Sequence, residues 1–294
     1  MKKTLLALAV VAASGAAFAQ SATLSGQVNY GYQQVTAAGV AAKGLALDTV
    51  TLNVGVTEDL GGGLKAAANV TFDGASSNFA NALNRRNASI GLSGGFGSVS
   101  LANTRSGDLL TKAMVAPSNL PDGMYDTSGV LARAPIDILT YTTPSMSGFT
   151  GSVSFVESST DGTSTAATNT LILAGAYAAG PIAAGLSYKM QTKVASGDKV
   201  KNLEAFATYD LGVAKLGVGF DQKPSGGDHA FAVGVSAPLG AATVGVNFAK
   251  RGANKVTEFA AKYDLSKRTN VNFSAGKQTI DLGNQYRLSV QHNF

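Results

Sequence analysis

At 294 residues the chain is long enough for one large β domain or two smaller ones, and with no Pro/Ser-rich linker or sustained charge run to divide it, one continuous domain is expected. Its 23 Lys and Arg against 18 Asp and Glu are too weak a balance for a nucleic-acid surface, so no nucleic-acid partner is expected. The lack of Cys excludes a disulfide framework, and 35 glycines spread without a three-residue period exclude collagen.

The chain opens on an export address. Lys2 and Lys3 supply a positive region, Leu5 to Ala13 a short apolar run, and Ala17-Phe18-Ala19 a small-x-small cleavage site. This divides the chain into a signal peptide, 1–19, and a mature domain, 20–294, with a formal charge of +3, since two of the bases lie in the signal. No later stretch reaches the roughly 18 uninterrupted apolar residues of a membrane-crossing helix.

From there the chain alternates. In Leu64 to Phe72 the residues Leu64, Ala66, Ala68, Val70 and Phe72 form an apolar face, while Lys65, Ala67, Asn69 and Thr71 form a mostly polar one. Strand-like runs fall near 22–34, 47–56, 63–73, 84–93, 97–105, 137–143, 148–156, 168–178, 181–190, 201–210, 213–221, 228–237, 241–250, 254–264, 269–277 and 284–294, separated by turn signals such as Glu58 to Gly63 and Gly180-Pro181. An even count of sixteen returns the last strand antiparallel to the first, so the sheet closes without an edge; in lipid an unpaired backbone group costs several kcal/mol. Most runs are near the 9 to 11 residues of a tilted membrane-spanning strand. The fold class is therefore all-β, a transmembrane antiparallel β-barrel of 16 strands. Its stability is expected from ladder closure and apolar outward faces rather than from a hydrocarbon core.

Residues 106–136 break the pattern. This long connection carries Pro117, Pro121 and Pro135 with Gly107, Gly123 and Gly129. A barrel of about sixteen strands is too wide for side chains alone to fill, so a loop folded inward can narrow it. Asp108, Asp122, Asp126 and Asp137 lie in or beside the loop with Lys112 and Arg133, which suggests an acidic constriction facing a basic wall.

These residues resemble the general-diffusion porins of Gram-negative outer membranes, beta-proteobacterial type, over essentially the whole chain. The resemblance is carried by Glu58-Asp59-Leu60-Gly61-Gly62-Gly63-Leu64-Lys65-Ala66, by Arg86 followed by Ile90-Gly91-Leu92-Ser93-Gly94-Gly95-Phe96-Gly97, and by Tyr141-Thr142-Thr143-Pro144. Further matches are Gly148-Phe149-Thr150-Gly151-Ser152, Tyr209-Asp210-Leu211-Gly212, Tyr263-Asp264-Leu265-Ser266-Lys267-Arg268-Thr269 and the ending His292-Asn293-Phe294. It implies a homotrimer in the outer membrane, in contact with its lipid and lipopolysaccharide. It also implies a third loop folded into each pore, passive diffusion of small hydrophilic solutes, and a terminal Phe294 read by the barrel assembly machinery.

The resemblance places Arg86 on the pore wall. Asn103 stands where a second Arg is usual, with Arg105 two residues along on the same strand face; Thr71 stands where Glu is frequent, and Gln291 and Asn293 where bases are common. Lys65 is a further wall candidate. Strict alternation instead groups Arg86 with Ala88, Ile90 and Leu92 and turns Arg85 toward water. For Arg86 to face inward, its apolar companions would pack on the inserted loop and Ser89 and Gly91 would face outward, or a bulge would accommodate both arginines. Opposed charges across the gap would act on solutes through their field rather than through catalysis.

No enzyme, cofactor or metal is expected. Two histidines, His229 and His292, are too few for a three-imidazole zinc site, and Gly91-Leu92-Ser93-Gly94-Gly95 lacks the helix that a nucleophile elbow needs after it. A substrate-selective porin and a structural or adhesive barrel stay open as alternatives.

Overall fold

The computed structural model describes residues 20–37, 40–74, 84–118, 131, 135–157, 168–193, 197, 199–222, 227–279 and 283–294. The signal segment, and with it the expected cleavage after Ala19, lies outside the described residues. The first eight strands are β1 (Ser21–Ala37), β2 (Val40–Gly61), β3 (Leu64–Asp73), β4 (Asn84–Gly94), β5 (Gly97–Arg105), β6 (Pro135–Thr142), β7 (Phe149–Glu157) and β8 (Thr168–Ala179). The second eight are β9 (Ile182–Lys193), β10 (Lys199–Asp210), β11 (Lys215–Gln222), β12 (Ala230–Leu239), β13 (Ala242–Arg251), β14 (Asn254–Asp264), β15 (Thr269–Gln278) and β16 (Asn284–Asn293).

Each strand pairs antiparallel with its neighbours, and β1 pairs with β16, so the sheet is a closed sixteen-stranded barrel with no open edge. The alternation read in the sequence is the alternation of the wall. In β12, Ala230, Ala232, Gly234 and Ser236 are buried inside while Phe231, Val233 and Val235 are exposed outside; in β16, Gln285, Arg287 and Ser289 are buried while Tyr286, Leu288 and Val290 are exposed. Outward apolar and inward polar residues are what a barrel in lipid with a wet interior requires. One end of the barrel carries tight turns, as at Gly62-Gly63 and Gly180-Pro181, and the other the longer connections. The main departure from the sequence reading is the first hairpin: β1 and β2 continue to Ala37 and Val40, through residues expected to form a connection.

Phe294 fastens the seam. Its backbone exchanges hydrogen bonds with Gly26, at 2.8 and 3.0 Å, and its ring lies where any Cβ on Gly26 would stand, 2.4 Å from that position. Only glycine permits the ring to seat there.

The described part of the long connection, 106–118 and 131, lies inside the barrel. A single helical turn, α1 (Leu110–Ala113), packs on the inner faces of β10, β11 and β12. Leu110 and Ala113 are fully buried in a cluster with Leu131, Ala230, Ala232, Ala249 and Val256. The wall makes room with glycines: a Cβ on Gly217 would meet the Ala113 carbonyl oxygen at 2.2 Å, and one on Gly234 would meet it at 2.5 Å. An apolar cluster inside the lumen was not expected from the sequence; burying Leu110 alone contributes on the order of 1.5–3 kcal/mol to holding the loop down.

Candidate pore constriction

Two irregularities in the ladder decide which charges reach the lumen. Between β1 and β2 the register passes from Asn29 opposite Thr49 to Tyr30 opposite Leu47, leaving Asp48 without a partner across the ladder. Between β3 and β4 it passes from Thr71 opposite Asn87 to Phe72 opposite Arg85, leaving Arg86 as the extra residue. A bulge puts two consecutive residues opposite one and re-aims the additional side chain. Arg86 thereby joins Asn87 on the inner face while Ala88, Ile90 and Leu92 stay outside; Ile90 and Leu92 are exposed. Ile90 and Leu92 therefore do not pack on the loop, and Ser89 and Gly91 face in rather than out.

Arg86 donates from Nη1 to Asp73 Oδ2 at 2.8 Å. Beside it, Thr71 donates to Asn53 Oδ1 at 2.8 Å and Thr104 to Asn87 Oδ1 at 3.1 Å. Asn53, Thr71, Arg86, Asn87, Thr104 and Arg105 form the wall of a chamber of about 370 Å³ whose opposite side is Ser106, Gly107, Asp108 and Thr111 of the loop. This polar gap lies between β2–β5 and the loop and is termed the passage.

On the other side of the loop the charges are buried and paired. The carboxylate of Asp108 accepts the Leu110 N–H at 2.9 Å and stands 4.0 Å from Arg251 Nη2, which is itself paired with Asp221. Glu204 binds Lys189 and accepts the Leu109 N–H at 3.3 Å, and Lys189 donates to the Gly107 carbonyl at 3.3 Å. Asn247 accepts the Ala116 N–H at 3.1 Å and donates to Glu258 at 3.4 Å, and Glu258 also takes the Ser118 hydroxyl. Away from the loop, at the β16–β1–β2 side of the barrel, Arg287 pairs with Asp48 at 2.5 Å, and Asn29 donates to Asp48 at 3.1 Å.

The residues singled out in the sequence divide accordingly. Arg86, Arg105 and Asp108 line the passage. Lys112 lies in α1. Lys65 shares the inner face with Thr71 but sits beside the tight turn, opposite Asp59, about 20 Å along the strand from the passage. Asn103 does not share the inner face: it is opposite Ala88, in step with the exposed Val99 and Leu101, and donates to Asp137 Oδ1 at 2.7 Å. Asp137 alternates with the exposed Leu139 and Tyr141, so it too lies on the outer face rather than in the loop's acidic lip. The reason is parity: with Thr104 turned inward to Asn87, the residues on either side of it turn out. Arg105, at the strand's last position, differs in that it lies above the β4–β5 ladder and reaches the chamber shared with the loop, whereas Asn103 does not. Asp122, Asp126 and Arg133 lie outside the described residues, as does the side chain of Arg85. Among the described residues, no group of three or more His, Cys, Asp or Glu is arranged to hold a metal.

The sequence pattern of Gram-negative porins matches residues 5–287. The chain belongs to the Gram-negative porin family. It is 34% identical to outer membrane porin protein 32 of Delftia acidovorans, over 97% of this chain and 93% of that one. Among solved structures, an anion-selective porin from Comamonas acidovorans superposes with a TM-score of 0.71 at 25% identity, covering 94% of this chain and all of the other. An engineered porin of Rhodopseudomonas blastica, 16% identical, shares the fold with a TM-score of 0.71 over 93% of this chain and all of the other. The porin is thus a multi-pass outer-membrane barrel whose water-filled pore lets solutes diffuse passively.

Sequence reasoning missed Asp48, Lys189, Glu204, Asp221, Arg251, Glu258 and Arg287. Asp48 carries no signal, because one extra residue in a ladder cannot be seen in one strand. Arg287 could have been found by assigning faces strand by strand, since it stands between Gln285 and Ser289.

Proposed function

We propose that residues 20–294 form the mature porin after signal removal, that three copies assemble into a trimer, and that each pore passes small hydrophilic solutes with a bias toward anions. The observation that carries the bias is the asymmetry of the passage. Arg86, paired with Asp73, and Arg105 stand on the wall and leave one net positive charge there, while the loop carboxylate across from them, Asp108, is engaged by its own helix and by Arg251. The field across the gap then favours negative solutes over positive ones. The Comamonas porin of the same fold is anion-selective.

Reversal potential of the refolded protein in a planar bilayer under a salt gradient tests this. A potential of the sign set by the anion gradient is expected; zero or the opposite sign overturns the bias, and closure in steps other than three overturns the trimer.

Two features bear on membrane partners. Lys250, Lys255 and Lys277 lie together on the outer face at the long-connection end, above Phe248, Phe259 and Phe273, and suit the phosphates of outer-leaflet lipopolysaccharide. The seam at Phe294 supports its part in recognition by the barrel assembly machinery. Phe294→Ala is expected to lower the yield of inserted barrel; wild-type amounts of heat-resistant protein in outer-membrane fractions would refute it.

A further inference from the structure

The described part of the loop carries one acid and one base, and it turns them in opposite directions. Asp108 is 5% exposed, with its carboxylate held by the Leu110 N–H and approached by Arg251, whereas Lys112 is exposed. The helical turn between them sets this arrangement. The N–H groups of Thr111 and Lys112 donate to the carbonyls of Asp108 and Leu109, at 3.1 and 3.0 Å, so residues three apart share a face. Leu110 and Ala113 are both fully buried, and α1 packs on β10, β11 and β12, which puts Thr111 and Lys112 on the side away from that wall. That side is the lumen, since Thr111 lines the chamber between the loop and the β2–β5 wall.

Lys112 also differs from other bases inside the barrel in what it meets. Arg86, Lys189, Arg251 and Arg287 each bind a carboxylate. Lys112 is paired with no carboxylate among the described residues. A paired base presents a dipole, whereas an unpaired ammonium lends its whole charge to the water beside it. In an aqueous gap walled by protein such a charge raises the local concentration of anions and lowers that of cations. The acidic lip expected from the sequence is thus replaced, over the described part of the loop, by a basic one.

We propose that Lys112 is a specificity-determining residue of the pore, so that solutes meet a positive charge on the loop as well as Arg86 and Arg105 on the wall, and that the anions favoured most are multivalent ones such as dicarboxylates. This rests on the anion-biased reading of the passage and adds a dependence on valence. The energy of an ion near a fixed charge is proportional to the charge of the ion. Whatever factor Lys112 contributes to the preference for a monoanion, it contributes about the square of that factor for a dianion.

Reversal potentials across a planar bilayer at low ionic strength, under gradients of potassium acetate and of dipotassium succinate, test it. Lys112→Gln is expected to lower the anion-to-cation permeability ratio roughly twofold or more with acetate, and by about the square of that factor with succinate. Lys112→Glu should lower both ratios further, and Lys112→Arg should keep them at wild-type values. Lys201→Gln removes the same charge from the outer face, since its neighbours Val200 and Asn202 line the interior, and should change neither ratio. Wild-type ratios in folded Lys112→Gln and Lys112→Glu, an equal loss in Lys201→Gln, a loss in Lys112→Arg, or a change with succinate no larger than with acetate would each overturn the inference. The sign of the wild-type potential tests the anion-biased reading separately, because a cation-preferring pore would still shift on loss of Lys112.

Discussion

The β2–β5 wall and the β10–β14 wall face each other across one lumen and are built on opposite rules. The first carries polar side chains that reach water, with Arg86 and Asp73 about one-third and one-quarter exposed. The second is lined by glycine and alanine and holds its charges under the loop: Glu258 is fully buried and Asn247 nearly so. Since the loop covers the second wall, the same residue types do different work. A charge on the open wall is exposed to the lumen, whereas a charge on the covered wall meets the loop.

The largest effect expected from this contrast is on the loop itself. Deleting residues 112–132 removes Ala113 and Leu131 from the apolar cluster inside the lumen. Conductance should rise about twofold or more, because a sixteen-stranded barrel without its loop is an open aqueous channel. Unchanged single-channel conductance in properly folded trimers would mean that the narrow point lies elsewhere.

Next comes the covered wall. Arg251→Leu strips the countercharge from Asp221 and from Asp108, both nearly inaccessible. Removing one partner of a buried pair costs about 3–5 kcal/mol, so the folded barrel should lose resistance to heat and denaturant. The matched change on the open wall, Arg86→Leu, breaks a pair that is partly exposed on both sides and should cost only about 0–1 kcal/mol. Equal losses in the two variants, measured by the heat at which the folded band converts on a gel, would erase the distinction between the walls.

The same contrast marks what was legible in the sequence. Strand positions were readable because lipid outside and water inside impose a period of two on every strand, and the hairpins and even count follow from it. The arginine that faces the passage was not readable from alternation, since Arg86 keeps step with Ile90 and Leu92 and reaches the lumen only through the bulge opposite Thr71. The covered wall was obscured for another reason. Its inner face, as in Val256-x-Glu258-x-Ala260, is apolar on both sides of the charge because the loop lies against it. An inward face that is dry looks, in one strand, like an outward one.

Charge on the open wall should show in selectivity rather than stability. Arg86→Glu places a carboxylate beside Asp73 at the passage and is expected to move the reversal potential toward cations. Glu258→Gln, under the loop, should move it far less, since Glu258 has no exposed surface. A larger shift from Glu258→Gln would put the conducting path behind the loop instead of in front of it.

The smallest effect is the most discriminating about faces. Asn103 belongs to the same short strand as Thr104, yet it turns toward Val99 and Leu101 and bonds Asp137 on the outer surface. Asn103→Ala should cost no more than the hydrogen bond, about 0.5–1.5 kcal/mol, and should leave reversal potential and conductance at wild-type values. Thr104→Ala, one residue along, loosens Asn87 on the passage wall and should alter conductance while barely touching stability. If Asn103→Ala changed selectivity and Thr104→Ala did not, the face assignment of β5 would be inverted. Arg105 would then belong outside with the lipid, and the positive side of the passage would rest on Arg86 alone.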